Sequence, residues 1–263
     1  MKIQSGFVAI VGRPNAGKST LLNAVLGSEL SIVTYKAQTT RERVLGILTE
    51  KKGQIVFVDT PGIHNARDGG INAYMVGEAE LALDAPSAVW YIVDPFSEVK
   101  HEEEVLKLLV KSASPIFVLL NKMDMRKNRI LEASLKARML ELGLNVLDVK
   151  MISAMKKKGL DELLDETWKL LPEGPLYYPD EDQMSDRPVR FFVAEKIREQ
   201  IYLKLGQELP YSCAVEIENF KEDIKPLRIE ATIYVERDSQ KGMVVGKGGS
   251  KIKEIGTAAR LTI

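Results

Sequence analysis

The chain has 263 residues, 45% of them hydrophobic and 28% charged, with 37 Lys and Arg set against 37 Asp and Glu. That is ordinary globular composition, enough for roughly two domains, and it excludes a disordered, collagen-like or supercharged chain. A net charge of zero can still conceal a local basic patch, and the single cysteine, Cys213, excludes an internal disulfide and fits a reducing compartment.

The first apolar run, residues 7–11, is too short for a secretory signal and leads into a glycine-rich loop. No run approaches the roughly 20 apolar residues that a bilayer-spanning helix needs, so an integral membrane protein is excluded on this pattern. Short apolar runs predict strands at 7–11, 43–49, 55–58, 88–93, 116–120 and 146–149. Helical patterns at 19–26, 102–111, 129–142 and 160–171 lie between most of them. The exception is 43–58, which reads as a hairpin turning at Lys51-Lys52-Gly53-Gln54. Strands joined by crossover helices predict a mostly parallel α/β sheet with helices on both faces. A ligand then binds beyond the carboxyl ends of the strands.

Four separated signals point to one ligand. Gly12-Arg13-Pro14-Asn15-Ala16-Gly17-Lys18-Ser19, followed by Thr20, fits G-x-x-x-x-G-K-[ST] between a strand and a helix. Glycines let the backbone wrap an anion with its N–H groups inward, and the helix starting near Lys18 adds its positive end. Lys18 is placed to reach the β- and γ-phosphates and Ser19 to ligate Mg²⁺. Asp59-Thr60-Pro61-Gly62 follows an apolar strand, so its carboxylate can hold Mg²⁺ through water and the Gly62 N–H can reach the γ-phosphate. Asn121-Lys122-Met123-Asp124 follows another strand. A carboxylate at Asp124 accepts from the N1–H and exocyclic amine of guanine, a donor pair adenine lacks, and each bond to a charged group contributes about 1.5–3 kcal/mol. Lys122 lies along the base plane, and the backbone of Ser153-Ala154 reaches the guanine oxygen. Alone, D-x-x-G is a common turn and Asp124 could be a helix cap. All four in this order select GTP over ATP. Of Thr39 and Thr40, one closes on Mg²⁺ in the GTP state, with Thr40 favoured; that stretch and residues 62–70 order with the γ-phosphate.

Over residues 12–154 these signals resemble the translation-factor-type P-loop GTPases. Gly12-Arg13-Pro14-Asn15, Lys36-Ala37-Gln38-Thr39-Thr40-Arg41 and Asp59-Thr60-Pro61-Gly62-Ile63-His64 resemble, more narrowly, the Era family of bacterial ribosome-assembly GTPases. So do Leu171-Pro172-Glu173-Gly174-Pro175, Tyr178-Pro179 and Asp186-Arg187-Pro188. Ras-like enzymes orient the attacking water with a glutamine after the D-x-x-G glycine. Here Ile63 stands, a hydrophobic replacement shared with the family. His64 is the weaker alternative as a base; slow hydrolysis by positioning and charge neutralisation is the better one. The catalytic set is then Lys18, Asn15, Thr40 and Gly62, with Mg²⁺ on Ser19, Thr40 and Asp59. The resemblance implies that Asn15 binds K⁺ near the phosphates.

Residues 171–180 hold three prolines and one glycine and read as a break. The division is a GTPase domain at 1–172, a linker at 173–187 and a small α+β unit at 188–263. Val244-Val245-Gly246-Lys247-Gly248-Gly249-Ser250-Lys251-Ile252-Lys253 resembles a KH module of type II. Its G-x-x-G loop, Gly246 to Gly249, clamps single-stranded nucleic acid, with charge from Lys247, Lys251 and Lys253. From Lys221 onward there are nine Lys and Arg against six Asp and Glu, a sign suited to RNA. The family continues past residues 258–260 with more helix and a final strand. A KH unit ending at Ile263 is therefore expected to be incomplete, with an unpaired edge, and either weakened for RNA or mobile.

The resemblance implies a GTP-hydrolysing switch that binds the 3′ end of small-subunit (16S) ribosomal RNA and assists 30S assembly. It implies a cytoplasmic protein, allows peripheral contact with the inner face of the cell membrane, and leaves no DNA partner expected. The alternative is an RNA-binding module whose G domain is stabilised by nucleotide but nearly inactive.

Overall fold

The computed structural model describes residues 2–34, 40–63, 70–125, 131–206, 209–221 and 227–263; Thr39, the motif residues 36–38 and His64 lie outside them. The chain forms two compact units, one of residues 2–30 with 40–186, the other of residues 187–263, with which 31–34 packs.

In the first unit the apolar runs become β1 (Gln4–Val11), β2 (Val44–Glu50), β3 (Gly53–Asp59), β4 (Ala88–Val93), β5 (Ile116–Leu120) and β6 (Val146–Met151). They lie in the order β2-β3-β1-β4-β5-β6. β2 and β3 form the antiparallel hairpin, and every other neighbouring pair is parallel. β3, β4 and β5 are buried along their whole length, which is why they read as runs and do not alternate. Among the described residues five α-helices cover the sheet: α1 (Lys18–Leu26), α2 (Gly70–Ala82), α3 (Glu103–Leu109), α4 (Leu131–Glu141) and α5 (Leu160–Trp168). α2, α3 and α4 bury Ala79, Leu106 and Leu135 in one apolar cluster. α1 and α5 bury Leu22 and Leu163 in another, with Phe57 and Trp90. From β1 the chain goes to the β2–β3 hairpin on one side and then returns past β1 to β4 on the other, so the carboxyl end of β1 is the switch point where a crevice opens.

Two features depart from the sequence expectation. α2 has no counterpart in the sequence reading; it carries Gly70 and Gly77, and among its residues with described burial Met75, Ala79 and Ala82 are the buried ones, so its helical stripe is faint. The stretch read as a linker is strapped to the hairpin. Gln54, fully buried in β3, donates from Nε2 to the Tyr178 carbonyl (2.9 Å) and accepts the Tyr178 N–H at Oε1 (3.0 Å). The Ile47 N–H donates to the Met184 carbonyl (2.9 Å), and the Ser185 hydroxyl to the Leu45 carbonyl (2.6 Å).

The second unit runs α6 (Val189–Lys204), β7 (Cys213–Lys221), β8 (Arg228–Val235), α7 (Asp238–Val245) and α8 (Ser250–Thr262). β7 and β8 are antiparallel and pair with no third strand among the described residues. The core is small, built on Ile201, Leu205, Cys213, Val244 and Ile255. An open groove of about 630 Å³ runs between β8 and α8, lined by Ile229, Ile233, Ile252 and Ala259.

The strap is testable. In Gln54→Leu the Tyr178 amide should lose hydrogen-exchange protection while the Val8–Val11 amides keep theirs. Stability should fall by about 1–3 kcal/mol, as expected for half-buried groups left unpaired. Unchanged exchange at Tyr178 would contradict it.

Candidate functional site

The loop between β1 and α1 sits on the carboxyl end of β1. Gly17 enters α1 in the left-handed region (φ 106°), and a Cβ there would stand 2.3 Å from the Asn121 Nδ2, so the residue is restricted to glycine by conformation and by space. Asn15 also has positive φ (60°) and is exposed. Lys18, the first residue of α1, is buried and folds back over the loop. Its Nζ donates to the Gly12 carbonyl (3.1 Å) and the Arg13 carbonyl (2.9 Å). Burial lowers its pKa from 10.5 to about 8, against the opposing pull of Asp59 and Glu102.

Ser19, Thr40 and Asp59 come together. The Ser19 hydroxyl donates to Asp59 Oδ2 (2.9 Å) and lies 3.0 Å from the Thr40 hydroxyl. Two hydroxyls and one buried carboxylate form an all-oxygen donor set, which suits Mg²⁺ bound mainly by phosphate and water. Thr60 is pinned by its hydroxyl to the Ile10 carbonyl (2.8 Å). Gly62 lies so close to Pro14 that a Cβ would be 2.7 Å from its backbone, which brings the D-x-x-G turn onto the phosphate loop. The Ile63 N–H donates to the Gly12 carbonyl (3.1 Å), and the Ile63 side chain is buried in the apolar cluster of α2 and α3.

The residues expected to read the base converge on the same loop. Asn121 Nδ2 donates to the Ala16 carbonyl (2.9 Å), and Asn121 Oδ1 accepts the Ala154 N–H (2.9 Å). The Met123 N–H donates to the Ile152 carbonyl (3.1 Å), and Lys122 adopts positive φ (63°). The Ser153 hydroxyl donates to Asp124 Oδ1 (2.5 Å), and that bond, with the Asp124 backbone amide, holds the carboxyl below its ordinary range. Asp124 is thus an ionised, exposed acceptor at the crevice mouth. One partner had no place in the sequence reading: Asp94, the residue just after β4, holds Lys122 Nζ at 2.7 Å. Arg13 turns its guanidinium to the Ser97 hydroxyl (2.7 Å) and offers the crevice only its backbone.

In the second unit Gly246, Gly248 and Gly249 all have positive φ (73°, 57° and 78°), so the G-x-x-G turn between α7 and α8 needs its glycines. Lys247 and Lys253 are exposed, while Lys251 is half-buried and paired with Glu254 (2.8 Å). The loop offers close backbone approach and two unburied ammonium groups.

Lys18 gives this geometry a proton signature. Its lowered pKa means that the unfolded chain holds the extra proton between about pH 8 and 10.5, so this group's contribution to stability rises across that window. An anion seated at the ammonium raises the pKa again. Calorimetry near pH 8, in buffers of different ionisation heat, should show proton uptake on GDP binding. Lys18→Met should bind without uptake, and equal uptake in both proteins would contradict the assignment.

Residues 7–122 match the family described as 50S ribosome-binding GTPase, and residues 208–263 match the KH domain family. GTPase Era of Carboxydothermus hydrogenoformans is 45% identical over 266 residues, covering 100% of this chain and 88% of that protein. GTPase Era of Thermotoga maritima is 46% identical, covering 99% and 86%. A crystal structure of Era in complex with MgGDPNP and nucleotides 1506–1542 of 16S ribosomal RNA superimposes with a TM-score of 0.90 at 36% identity, over 99% of this chain and 88% of that one. A single-substitution variant of Aquifex aeolicus Era bound to GDP.AlF4− gives 0.89 at the same identity and coverage. With its phosphate loop, base-reading motif and glycine-turned C-terminal unit in the arrangement described, the chain belongs to the Era family of GTPases.

Proposed function

We propose that this chain is a GTP-hydrolysing switch whose C-terminal unit engages the 3′ end of 16S ribosomal RNA and that it assists 30S subunit assembly in the cytoplasm. The observation that carries the nucleotide half is the Asn121 amide, bonded on one side to the phosphate loop and on the other to the Ser153-Ala154 turn. The RNA half is supported by the Gly246–Gly249 turn with Lys247 and Lys253, and by the related Era structure holding nucleotides 1506–1542. No helix among the described residues is long and apolar enough to cross a membrane, and the reading needs no membrane contact.

The chain's residues divide the work. Backbone N–H groups of Gly12 to Ser19 and the start of α1 receive the phosphates. The Lys18 ammonium, poised on two carbonyls, moves to phosphate oxygens, stronger acceptors because they are charged. Ser19, Thr40 and Asp59 would hold Mg²⁺, which supplies charge neutralisation on the phosphate oxygens. Asp124 accepts the two donors on the guanine edge, and Ser153 keeps it ionised and aimed. The Gly62 N–H faces the γ-phosphate, and Thr40 closes from the other side. Ile63, packed into the core, supplies no group to orient water, so catalysis rests on positioning and charge and is slow. The exposed, left-handed Asn15 supports a K⁺ site beside the phosphates.

The burial of Ile63 also favours a second reading, an RNA-binding module that holds nucleotide with negligible turnover. Steady-state phosphate release, with and without a 16S 3′-end oligonucleotide, separates the two. The switch requires repeated turnover that rises with RNA, and a single turnover or none leaves the module. Asp124→Asn should lose GTP affinity by at least about tenfold, the equivalent of one bond to a charged group, and gain xanthosine nucleotides in exchange; retained GTP preference would remove Asp124 as the base reader. Turnover should rise in K⁺ over Na⁺, with Asn15→Ala abolishing the difference. Equal rates in both salts would remove the potassium site.

A further inference from the structure

Arg13 stands in the phosphate loop, yet its guanidinium is directed at the segment that follows β4. Nη1 donates to the Ser97 hydroxyl (2.7 Å) and lies 3.7 Å from Glu102 Oε1. Glu102 is fully buried at the N-terminal end of α3, and its Oε2 accepts the hydroxyl of Tyr91, itself buried in β4, at 2.8 Å. Oε1 accepts no hydrogen bond of ordinary length among the described residues, so the Arg13 guanidinium is the cation that faces it. Burial pushes the Glu102 carboxyl above the usual carboxylate range, against the pull of Tyr91, Arg13 and Ser97.

A buried carboxylate is expensive in lost hydration. Glu102 does not recover that cost as a helix cap, because its side chain makes no capping bond to α3. What it touches leads to the nucleotide crevice. The Arg13 carbonyl accepts from Lys18 Nζ (2.9 Å), one bond away from the Glu102–Arg13 pair. Asp94, at the start of the same segment, holds Lys122 (2.7 Å). Residues 94–102 therefore grip the phosphate loop at one end and the base-reading motif at the other.

We propose that Glu102 is a positioning residue, which fixes the phosphate loop through Arg13 and slows the escape of bound guanine nucleotide. The inference rests on the nucleotide reading above. Tyr91 orients the carboxylate, and Arg13 transmits its position to the carbonyl on which Lys18 is held. None of the three need touch the nucleotide with its side chain.

The test is a double-mutant cycle on release of a fluorescent GDP, with Arg13→Met, Glu102→Gln and the pair combined. Each single change should speed release between about threefold and a hundredfold, and the double should be no faster than the faster single, as for residues acting as one unit. Glu98→Gln, an exposed charge in the same segment, should leave release unchanged. Wild-type rates in both singles, or effects that multiply in the double, would overturn the proposal. Should Glu102→Gln not fold, the Arg13→Met and Tyr91→Phe cycle reads the same coupling by the same criteria. Failure of the wild-type protein to bind GDP would overturn the nucleotide reading itself, and this inference with it.

Discussion

The Asn121 side chain is the constraint on which the site depends. Its amide donates to the Ala16 carbonyl in the phosphate loop and accepts from the Ala154 N–H in the turn after β6. Those loops follow β1, β5 and β6, which are not adjacent as a set: β4 lies between β1 and β5. A single buried amide thus ties three carboxyl-end loops into one crevice across the width of four strands. Gly17 is the reciprocal requirement, since any Cβ there would occupy the position of the Asn121 nitrogen. Truncating Asn121 would leave two buried backbone groups unpaired, each costing about 1–3 kcal/mol.

A second constraint is electrostatic. The phosphate loop must hold a cation before any anion arrives, and burial makes that unfavourable. The fold offsets this with carbonyls on Gly12 and Arg13 and with carboxylates at Asp59 and Glu102. The result is an ammonium whose pKa has fallen to about 8, still charged at neutral pH but weakly held. Such a group is ready to exchange neutral acceptors for charged phosphate oxygens. At the opposite end, Asp124 is held ionised by Ser153, so one end of the crevice is set for an anion and the other for a hydrogen-bond donor edge.

Much of this was legible in the amino-acid sequence, and the parts that were not have physical reasons. Parallel strands buried on both faces announce themselves as unbroken apolar runs, and 88–93 and 116–120 were read with their bounds. Asp59 and Asn121 are legible because each sits at the end of such a run, and Lys18 and Ser19 because they close the glycine loop that joins β1 to α1. α2 was missed because its contact with the sheet is narrow and two glycines dilute its period. Residues 173–187 read as a linker because prolines and tyrosines carry no strand pattern; what ties the stretch to the hairpin is a buried glutamine in β3, which reads as an ordinary polar residue, together with bonds to the backbone of Leu45 and Ile47 that no side-chain pattern announces. Arg13 and Glu102 were opaque for a related cause. Eighty-nine positions separate them, and nothing local in either neighbourhood marks a partner.

The central claim is that one crevice reads both a wrapped phosphate chain and the edge of guanine. Competition of GTP, inosine triphosphate and ATP against a fluorescent GDP measures it directly, because the three differ only at the base. The geometry predicts GTP tightest. Inosine triphosphate, lacking the exocyclic amine, should be weaker by about ten- to a hundredfold, the equivalent of one bond to a charged acceptor, and ATP weaker again. Displacement by ATP as effective as by GTP would contradict the account at its foundation.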